Sequence, residues 1–190
     1  MPDPERAERT RSTVLDAAAR EFDAFGYDGA RLDRIVTRTG LTKGAVYFHF
    51  ASKLALAEAL VADKYALWPT LIEQVSASGL RGLKAARSLT LLVARTLVSD
   101  VRARAAMNLT QSILPPPATD DPYIRWIAVI AELLAQSPAQ RRRTVPPESL
   151  ARVAVQTFFG AYRIAAEMGH LETLEGDVEH LWDVLAETMN

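Results

Sequence analysis

The segment 41–50 constrains the fold of this chain more than any other part of its 190 residues. It reads Leu-Thr-Lys-Gly-Ala-Val-Tyr-Phe-His-Phe. Thr42 can cap a short helix, because its hydroxyl can accept hydrogen bonds from backbone N–H groups two or three residues later. Val46 and Phe50 are four residues apart and therefore share the inward face of that helix. Four other side chains are left on the outward face, where they could meet a partner: Lys43, Gly44, Tyr47 and Phe48.

A second helix is predicted just before this segment, over 32–36, and Gly40 is placed to end it. A helix, a tight glycine-containing turn and a short second helix make a helix-turn-helix, whose second helix enters the major groove of DNA. Upstream, apolar residues recur at helical spacing over 9–25, and Gly26 stands where a left-handed C-cap belongs. The N-terminal region is therefore predicted to be a three-helix DNA-binding domain.

Five short motifs resemble the N-terminal domain of the tetracycline-repressor (TetR) family: Gly26-Tyr27, Ile35-Val36, residues 40–44, Tyr47-x-His49-Phe50 and Ser52-Lys53. The run Thr-Lys-Gly-Ala-Val-Tyr-Phe-His-Phe is most similar to the γ-butyrolactone autoregulator receptors of actinobacteria. The resemblance is strong over the first quarter of the chain and weak over the rest. It implies an all-α fold, with a helix-turn-helix DNA-binding domain over 1–53 and a helical ligand-binding and dimerisation domain over 54–190.

A set of DNA-contacting residues follows from the motif and the resemblance. Lys43 is expected to reach base edges, Phe48 to contact a thymine methyl group, and Gly44 to let the backbone approach. Arg31 stands where the family usually has a capping Thr or Ser, so it either contacts phosphate or is an ordinary surface arginine. Losing that side-chain cap should cost about 1 kcal/mol. The whole predicted set, which includes phosphate contacts from Tyr47, His49 and Lys53, is Thr42, Lys43, Gly44, Ala45, Tyr47, Phe48, His49, Lys53 and Arg31.

Composition argues against several other classes of protein. With 49% hydrophobic and 24% charged residues, the chain has the make-up of an ordinary soluble domain, and its net charge of -1 does not by itself indicate nucleic acid. Cysteine is absent, and the three histidines form no recognisable ligand set. We therefore expect no catalytic residue, no metal and no cofactor. No secretory signal or apolar run of about 20 residues is present, so a cytoplasmic protein is expected.

The remainder of the sequence predicts further helices and no strands. Pro69 should kink or end the helix that follows Ser52. Helices are expected over 83–98, 101–113, 122–136, 148–168 and 176–189. Proline-rich 115–117 and the run 141–143 of three arginines are predicted to lie in exposed loops, the latter as a solvated surface rather than a nucleic-acid site.

A ligand pocket is expected in this second part. The helix over 122–136 is apolar nearly all round, which predicts one side against the core and a second as a pocket wall. Among the butyrolactone receptors, a tryptophan in the helix after the proline-rich loop lines the pocket, and Trp126 stands there. Plain core packing is the alternative for this residue. The full predicted set is Trp126, Thr157, Gln111, Val129, Leu133 and Tyr162, with Thr157 as the best-placed hydroxyl and Gln111 and Tyr162 as weaker candidates.

Small and apolar side chains on the last two helices suit a homodimer interface: Gly160, Ala161, Ile164, Leu181 and Leu185. Taken together, these features predict a homodimeric repressor that binds a near-palindromic DNA operator and is released by a small hormone-like molecule. Butyrolactones, butenolides and furan acids remain equally open as that inducer. Two alternatives also remain: a repressor of this type that has lost butyrolactone binding and answers to another ligand, such as an antibiotic, and an all-helical interaction module without DNA binding.

Overall fold

The computed structural model describes residues 4–112, 122–136 and 145–188. Every regular element in these ranges is helical, which confirms the predicted all-α class. The helices are α1 (Pro4–Gly29), α2 (Leu32–Thr39), α3 (Lys43–His49), α4 (Lys53–Ala77), α5 (Gly82–Ser99), α6 (Val101–Ser112), α7 (Pro122–Ala135), α8 (Pro147–Met168) and α9 (Leu174–Thr188), with a 3-10 turn at Leu171–Thr173 before α9.

Two helix ends differ from the sequence-based expectation. The helix after Ser52 does not end at Pro69: α4 continues through this proline to Ala77. A proline removes one backbone N–H donor but does not have to stop a helix whose other bonds remain. The first helix is interrupted at Gly26, but Gly26 is not the predicted left-handed C-cap: its φ of 64° is combined with ψ of -177°, and a further turn continues to Gly29. The predicted loops at 115–117 and 141–143 lie outside the described residues.

The chain divides into two compact units. The first unit comprises Met1–Trp68 and Ser99–Pro115, and the second comprises Pro69–Val98 and Pro116–Asn190. The predicted DNA-binding domain, 1–53, lies inside the first unit, which also holds the start of α4 and all of α6. The functional boundary at 53 stays a prediction.

The first unit is built around the inner face of α1. This face carries buried apolar side chains at helical spacing, and α2, α3, α4 and α6 pack their own apolar side chains against it. The core formed by all five helices includes Val14, Leu15, Ala18, Phe22, Ile35, Val46, Phe50, Leu56, Leu60, Ala105, Ala106 and Leu109. Two arginines of α6 also bind aspartates of α1. Arg102 Nε lies 2.7 Å from Asp16 Oδ1, and Arg104 Nε lies 3.0 Å from Asp23 Oδ2.

The second unit buries large aromatic and aliphatic side chains of α7, α8 and α9, among them Ile130, Leu134, Phe158, Tyr162 and Trp182. The indole of Trp182 is fully buried, and its Nε1 donates a hydrogen bond to the Thr90 hydroxyl at 2.6 Å. A buried donor without an acceptor is costly. This bond therefore helps to hold α9 against α5, in addition to the apolar contacts.

Within the described ranges, no single helix is long and apolar enough to cross a bilayer. The pair Lys43–His49 and Lys53–Ala77, bent by 52°, meets the length and composition requirement only when the two helices are taken together.

Candidate DNA interface and ligand site

The start of α3 has the predicted cap. The Thr42 hydroxyl oxygen accepts a hydrogen bond from the Ala45 N–H at 3.2 Å, and Thr42 itself is extended, as an N-cap residue should be. Before it, Gly40 ends α2 with φ of 68°, a conformation that favours glycine. Val46 and Phe50 are buried in the core of the first unit. These contacts fix which face of α3 points outward.

The outward face of α3 is a small surface of basic and aromatic side chains. Phe48 is 83% exposed and Tyr47 is 40% exposed, and both Lys43 and Gly44 are exposed. Lys43 Nζ lies 3.8 Å from Asp33 Oδ1 and 5.7 Å from the Tyr47 ring centre. Because this ion pair is exposed on both sides, breaking it costs little, and Lys43 remains available to a partner.

The two remaining predicted residues of α3, Ala45 and His49, are half-buried. The His49 ring meets the Phe48 ring edge-on, with 5.3 Å between ring centres. This contact orients the highly exposed Phe48 side chain on the surface.

Lys53, which is half-buried, makes contacts within the protein. Its Nζ donates hydrogen bonds to the backbone oxygens of Tyr27 at 2.7 Å and Ala30 at 3.1 Å, and lies 4.4 Å from the Tyr27 ring centre. A lysine at the carboxyl end of a helix satisfies carbonyl groups that lack intrahelical partners. The Lys53 ammonium group thus contacts the end of α1, and its phosphate contact stays a prediction.

The side-chain cap of α2 is absent, as expected from Arg31 at the N-cap position. Sequence reasoning missed the group that takes its place, Glu21 of α1. Glu21 Oε1 accepts hydrogen bonds from the Arg31 backbone N–H at 3.1 Å and from Arg34 Nε at 2.5 Å. The side chain of Arg31 is left exposed. A charged residue on the apolar face of α1 was the signal that could have indicated Glu21.

In the second unit, Trp126 is at the centre of an aromatic cluster. It is 4% exposed, and its ring meets those of Phe158 and Phe159 edge-on, with centre separations of 4.7 Å and 5.3 Å. Among the other predicted ligand residues, Leu133 and Tyr162 are buried and Val129 is half-buried. The arrangement fits both core packing and the wall of an aromatic pocket.

Thr157 does not lie where it was predicted. The buried face of α8 carries Ala151, Ala154, Val155, Phe158, Tyr162 and Ala165. Thr157 is exposed on the other side of the helix, so its hydroxyl cannot face the same interior as Trp126. The backbone of Gln111 belongs to α6, but its side chain lies outside the described residues.

A cleft of about 240 Å³ opens elsewhere in the second unit. Its lining mixes apolar and polar side chains: Val75, Ser76, Leu80, Arg81, Leu133 and Gln136. Of these, only Leu133 was predicted to contact a ligand. Arg81 donates a hydrogen bond to the neighbouring Leu80 carbonyl at 2.9 Å.

The predicted dimer residues separate into two groups. Gly160 and Ile164 are exposed and Ala161 is half-exposed on α8, on the side that also carries exposed Val153 and Met168. In contrast, Leu181 and Leu185 are only 9% and 8% exposed and pack inside the second unit. Their assignment to the interface is corrected, because the apolar stripe of α9 faces the core of its own chain.

No three His, Asp or Glu side chains converge on a possible metal site within the described ranges. One half-buried cation does stand out. Lys64 Nζ of α4 donates a hydrogen bond to the Thr110 hydroxyl of α6 at 3.1 Å, and burial lowers the pKa of this lysine to about 8.

Residues 14–60 match the model of the family described as bacterial regulatory proteins, tetR family. Over 179 residues, the chain is 30% identical to the A-factor receptor protein of Streptomyces griseus. That match covers 93% of this chain but 62% of the receptor, so the chain spans less than two thirds of this relative's length.

Solved structures match over nearly the whole chain. One, described as the molecular basis for control of antibiotic production by bacterial hormones, is 31% identical, with a TM-score of 0.73 and 95% of both chains covered. A γ-butyrolactone receptor described as ArpA-like has 28% identity and a TM-score of 0.75, with 94% of this chain and 98% of the receptor covered. The TetR family protein CprB of Streptomyces coelicolor, solved with its operator, has 29% identity and a TM-score of 0.82 over 95% and 88% of the two chains.

Proposed function

The chain belongs to the TetR family of bacterial regulatory proteins, and on this premise we propose that it is a ligand-responsive transcriptional repressor. It binds a near-palindromic DNA operator as a homodimer, and a small hormone-like molecule releases it. We assign it no catalytic reaction. The relatives it matches are described as receptors and regulators.

The outward face of α3 is the observation that carries the DNA-binding part of this proposal. Lys43, Gly44 and Phe48 are exposed together on a helix whose opposite side is anchored by Val46. A short helix of this kind fits the major groove, where lysine can donate to guanine O6 and N7 and an apolar side chain can contact a thymine methyl group. Exposed Arg31, Tyr47 and half-buried His49 are assigned to phosphate.

Selection of bound duplexes from a random-sequence DNA library tests this assignment. The unmodified protein should enrich a near-palindromic site, with half-sites about one helical turn apart or a multiple of it. Lys43→Ala should weaken binding to that site by about 1–3 kcal/mol and relax the sequence preference. Lys84→Ala removes the same charge from the exposed face of α5 and should leave preference unchanged. Parent-like selection by Lys43→Ala would contradict the base-reading role.

The ligand part of the proposal places a small, mainly apolar molecule against the aromatic cluster of Trp126, Phe158 and Phe159. Such rings provide a large apolar contact area, and one or two polar groups nearby suffice to orient a ligand. The matched relatives are described as an A-factor receptor and a γ-butyrolactone receptor. A γ-butyrolactone, butenolide or furan-type molecule is therefore the proposed class.

Titration of a γ-butyrolactone that carries an alkyl chain into a preformed complex of protein and selected duplex, with dissociation followed by fluorescence anisotropy, tests the pocket. Trp126→Ala should still bind DNA but resist release, because it loses apolar contact worth about 1.5–3 kcal/mol. Ile124→Ala, on the exposed side of the same helix, is the matched control and should respond as the parent does. Release of Trp126→Ala at parent concentrations would assign this tryptophan to core packing alone.

A second candidate within the same family is a repressor that answers to a different small molecule, such as an antibiotic. The exposure of Thr157 favours it, since the hydroxyl predicted to orient a lactone is on the outer side of α8. A parent complex that is insensitive to butyrolactones yet released by another compound would support this candidate.

A further inference from the structure

We propose that Glu21 of α1 stabilises the start of α2 in place of the missing side-chain cap, and is thereby a positioning residue for DNA binding. The effect on DNA binding rests on the proposed function, whereas the stabilisation of α2 by Glu21 does not. It concerns the junction of α1 and α2, a site separate from the outward face of α3.

The start of α2 lacks the usual local help. Arg31 has the extended backbone of an N-cap residue, with φ of -123° and ψ of 127°, but its side chain makes no capping hydrogen bond. The first N–H groups of a helix have no intrahelical acceptor, and the helix dipole puts partial positive charge there. Glu21 answers both needs: its Oε1 accepts the Arg31 N–H at 3.1 Å, and its negative charge lies at the positive end of α2.

The carboxylate of Glu21 is fully buried, with 0% exposure. A buried charge is expensive unless it is paired. Arg34 pairs with Oε1 at 2.5 Å, while Oε2 has no hydrogen-bond partner among the described residues. The charge is therefore balanced by one guanidinium group and one helix end, and both of these belong to α2.

Arg34 is itself fixed at two further points. Its Nη2 donates a hydrogen bond to the Gly29 carbonyl at 2.7 Å, and its guanidinium lies 4.1 Å from the centre of the Phe25 ring. Arg34 thus ties the last turn of α1 to the first turn of α2. The orientation of α2 is set by this network, and α3 follows α2 after only three residues, so the network also limits how α3 is presented.

The network also explains the residue at position 31. An N-cap hydroxyl or amide would accept from the N–H of Asp33 or Arg34, whereas Glu21 accepts from the N–H of Arg31. Glu21 therefore offsets the missing cap in free energy through a different hydrogen bond and its negative charge. An arginine is tolerated there, and its exposed side chain adds positive charge at the edge of the helix-turn-helix. The Glu21 carboxylate thus bonds to the backbone of Arg31, while the Arg31 side chain remains exposed.

The test is a set of variants of the full chain that removes the Glu21 carboxylate and then restores a local cap. Glu21→Gln keeps the shape and removes the charge. Arg31→Ser offers a capping hydroxyl, and Arg31→Ala removes the arginine without offering one. The two double variants, each containing Glu21→Gln, separate capping from the loss of the arginine. Amide hydrogen exchange is measured for all five at residues 31 and 35, whose N–H groups bond to Glu21 and to the carbonyl of residue 31. Affinity for the duplex selected by the unmodified protein is measured as well.

Glu21→Gln should speed exchange of these two amides by roughly five- to tenfold, and reduce affinity for the selected duplex by a similar factor. Adding Arg31→Ser should recover most of the amide protection at residue 35, whereas adding Arg31→Ala should not. If Glu21→Gln alone does not fold, folding of the serine double variant but not the alanine one gives the same answer. Equal behaviour of the two double variants, or parent-like exchange in Glu21→Gln, would overturn the proposal.

The hydrogen-exchange measurement tests the role of Glu21 independently of the proposed DNA binding. If no duplex is selected by the unmodified protein, the DNA-binding proposal fails while the exchange data still decide the role of Glu21. If a duplex is selected and Glu21→Gln loses amide protection but keeps full affinity, Glu21 stabilises α2 without positioning it for DNA, and the inference is overturned.

Discussion

Lys64 carries its charge in a setting with little to stabilise it. It lies on α4, where its Nζ is 3.1 Å from the Thr110 hydroxyl and 3.9 Å from the Met107 sulfur, and 5.1 Å from the Tyr65 ring centre. These neighbours are polar or polarisable, but none of them carries a negative charge. Removal from water therefore favours the neutral amine, and the pKa of Lys64 falls to about 8 from an ordinary value of 10.5.

This shift predicts a stability that depends on pH. Because the folded pKa is the lower one, the unfolded chain binds more protons between about pH 8 and 10.5, and the free energy of unfolding should rise with pH there. Lys64→Met removes the buried charge, so it should be more stable than the parent at pH 7, and the parent should close this gap over the same window. Urea unfolding at several pH values measures it. Lys84→Met, at an exposed lysine of α5, is the control. A difference in unfolding free energy between Lys64→Met and the parent that does not change with pH would contradict the prediction.

For single residues, the sequence predicts local roles, such as helix caps, better than it predicts which distant groups a side chain contacts or whether it is exposed. Spacing correctly gave the cap at Thr42 and the buried positions of Val46 and Phe50, because both depend on local helix geometry. It could not give the role of Lys53, whose acceptors are about 25 residues away in the chain. Nor could it give the exposure of Thr157, since a helix with apolar residues on several sides does not reveal which side meets the core.

Among the elements, α6 is joined to α1 by charges as well as by apolar contact. Arg102 binds both Asp16 and the Ser12 carbonyl oxygen, each at 2.7 Å. Arg104 binds Asp23 with the two side chains only 17% and 23% exposed. Partly buried pairs are less screened by water than surface pairs, so these contacts should hold α6 firmly on the first unit.

A double-mutant cycle on the pair of Arg104 and Asp23 tests this. Combining Arg104→Met with Asp23→Asn should reveal a coupling energy of about 1–2 kcal/mol in chemical unfolding. The pair of Arg163 and Glu167, one turn apart on α8 and more than half exposed, is the comparison and should give about 0.3–0.5 kcal/mol. Equal coupling in the two cycles would mean that burial does not strengthen the α1–α6 pair.

The helices themselves were largely predictable. Apart from the end of α4, capping residues, glycines and apolar periodicity located the helices now described to within a few residues, because these signals are local. Pro69 was the instructive exception: it predicts a kink or an end of the helix, and α4 does not end there but continues to Ala77. The stabilisation of α2 by Glu21 was also missed, because the two residues it joins belong to different helices and only packing brings them together.

For the whole molecule, the sequence indicated the family and left the assembly open. The family follows from one dense motif, whereas an interface depends on which apolar residues remain outside after the chain has folded. On α8, Val153, Ile164 and Met168 are 49%, 61% and 66% exposed, on the side that includes Gly160. Exposed apolar side chains grouped on one helix face indicate a protein contact, and a second copy of the chain is the proposed partner.

Ile164→Asp tests this interface. Because Ile164 is exposed, the aspartate should be harmless to the fold yet costly in an apolar interface, so the variant should be a folded monomer by sedimentation and circular dichroism. It should bind the selected duplex weakly, since a monomer reads one half-site. Ile124→Asp, at a similarly exposed isoleucine of α7, should remain dimeric. Leu181→Asp places a charge in the core and should instead lower the stability of the monomer itself. A dimer that survives Ile164→Asp would place the interface on another surface.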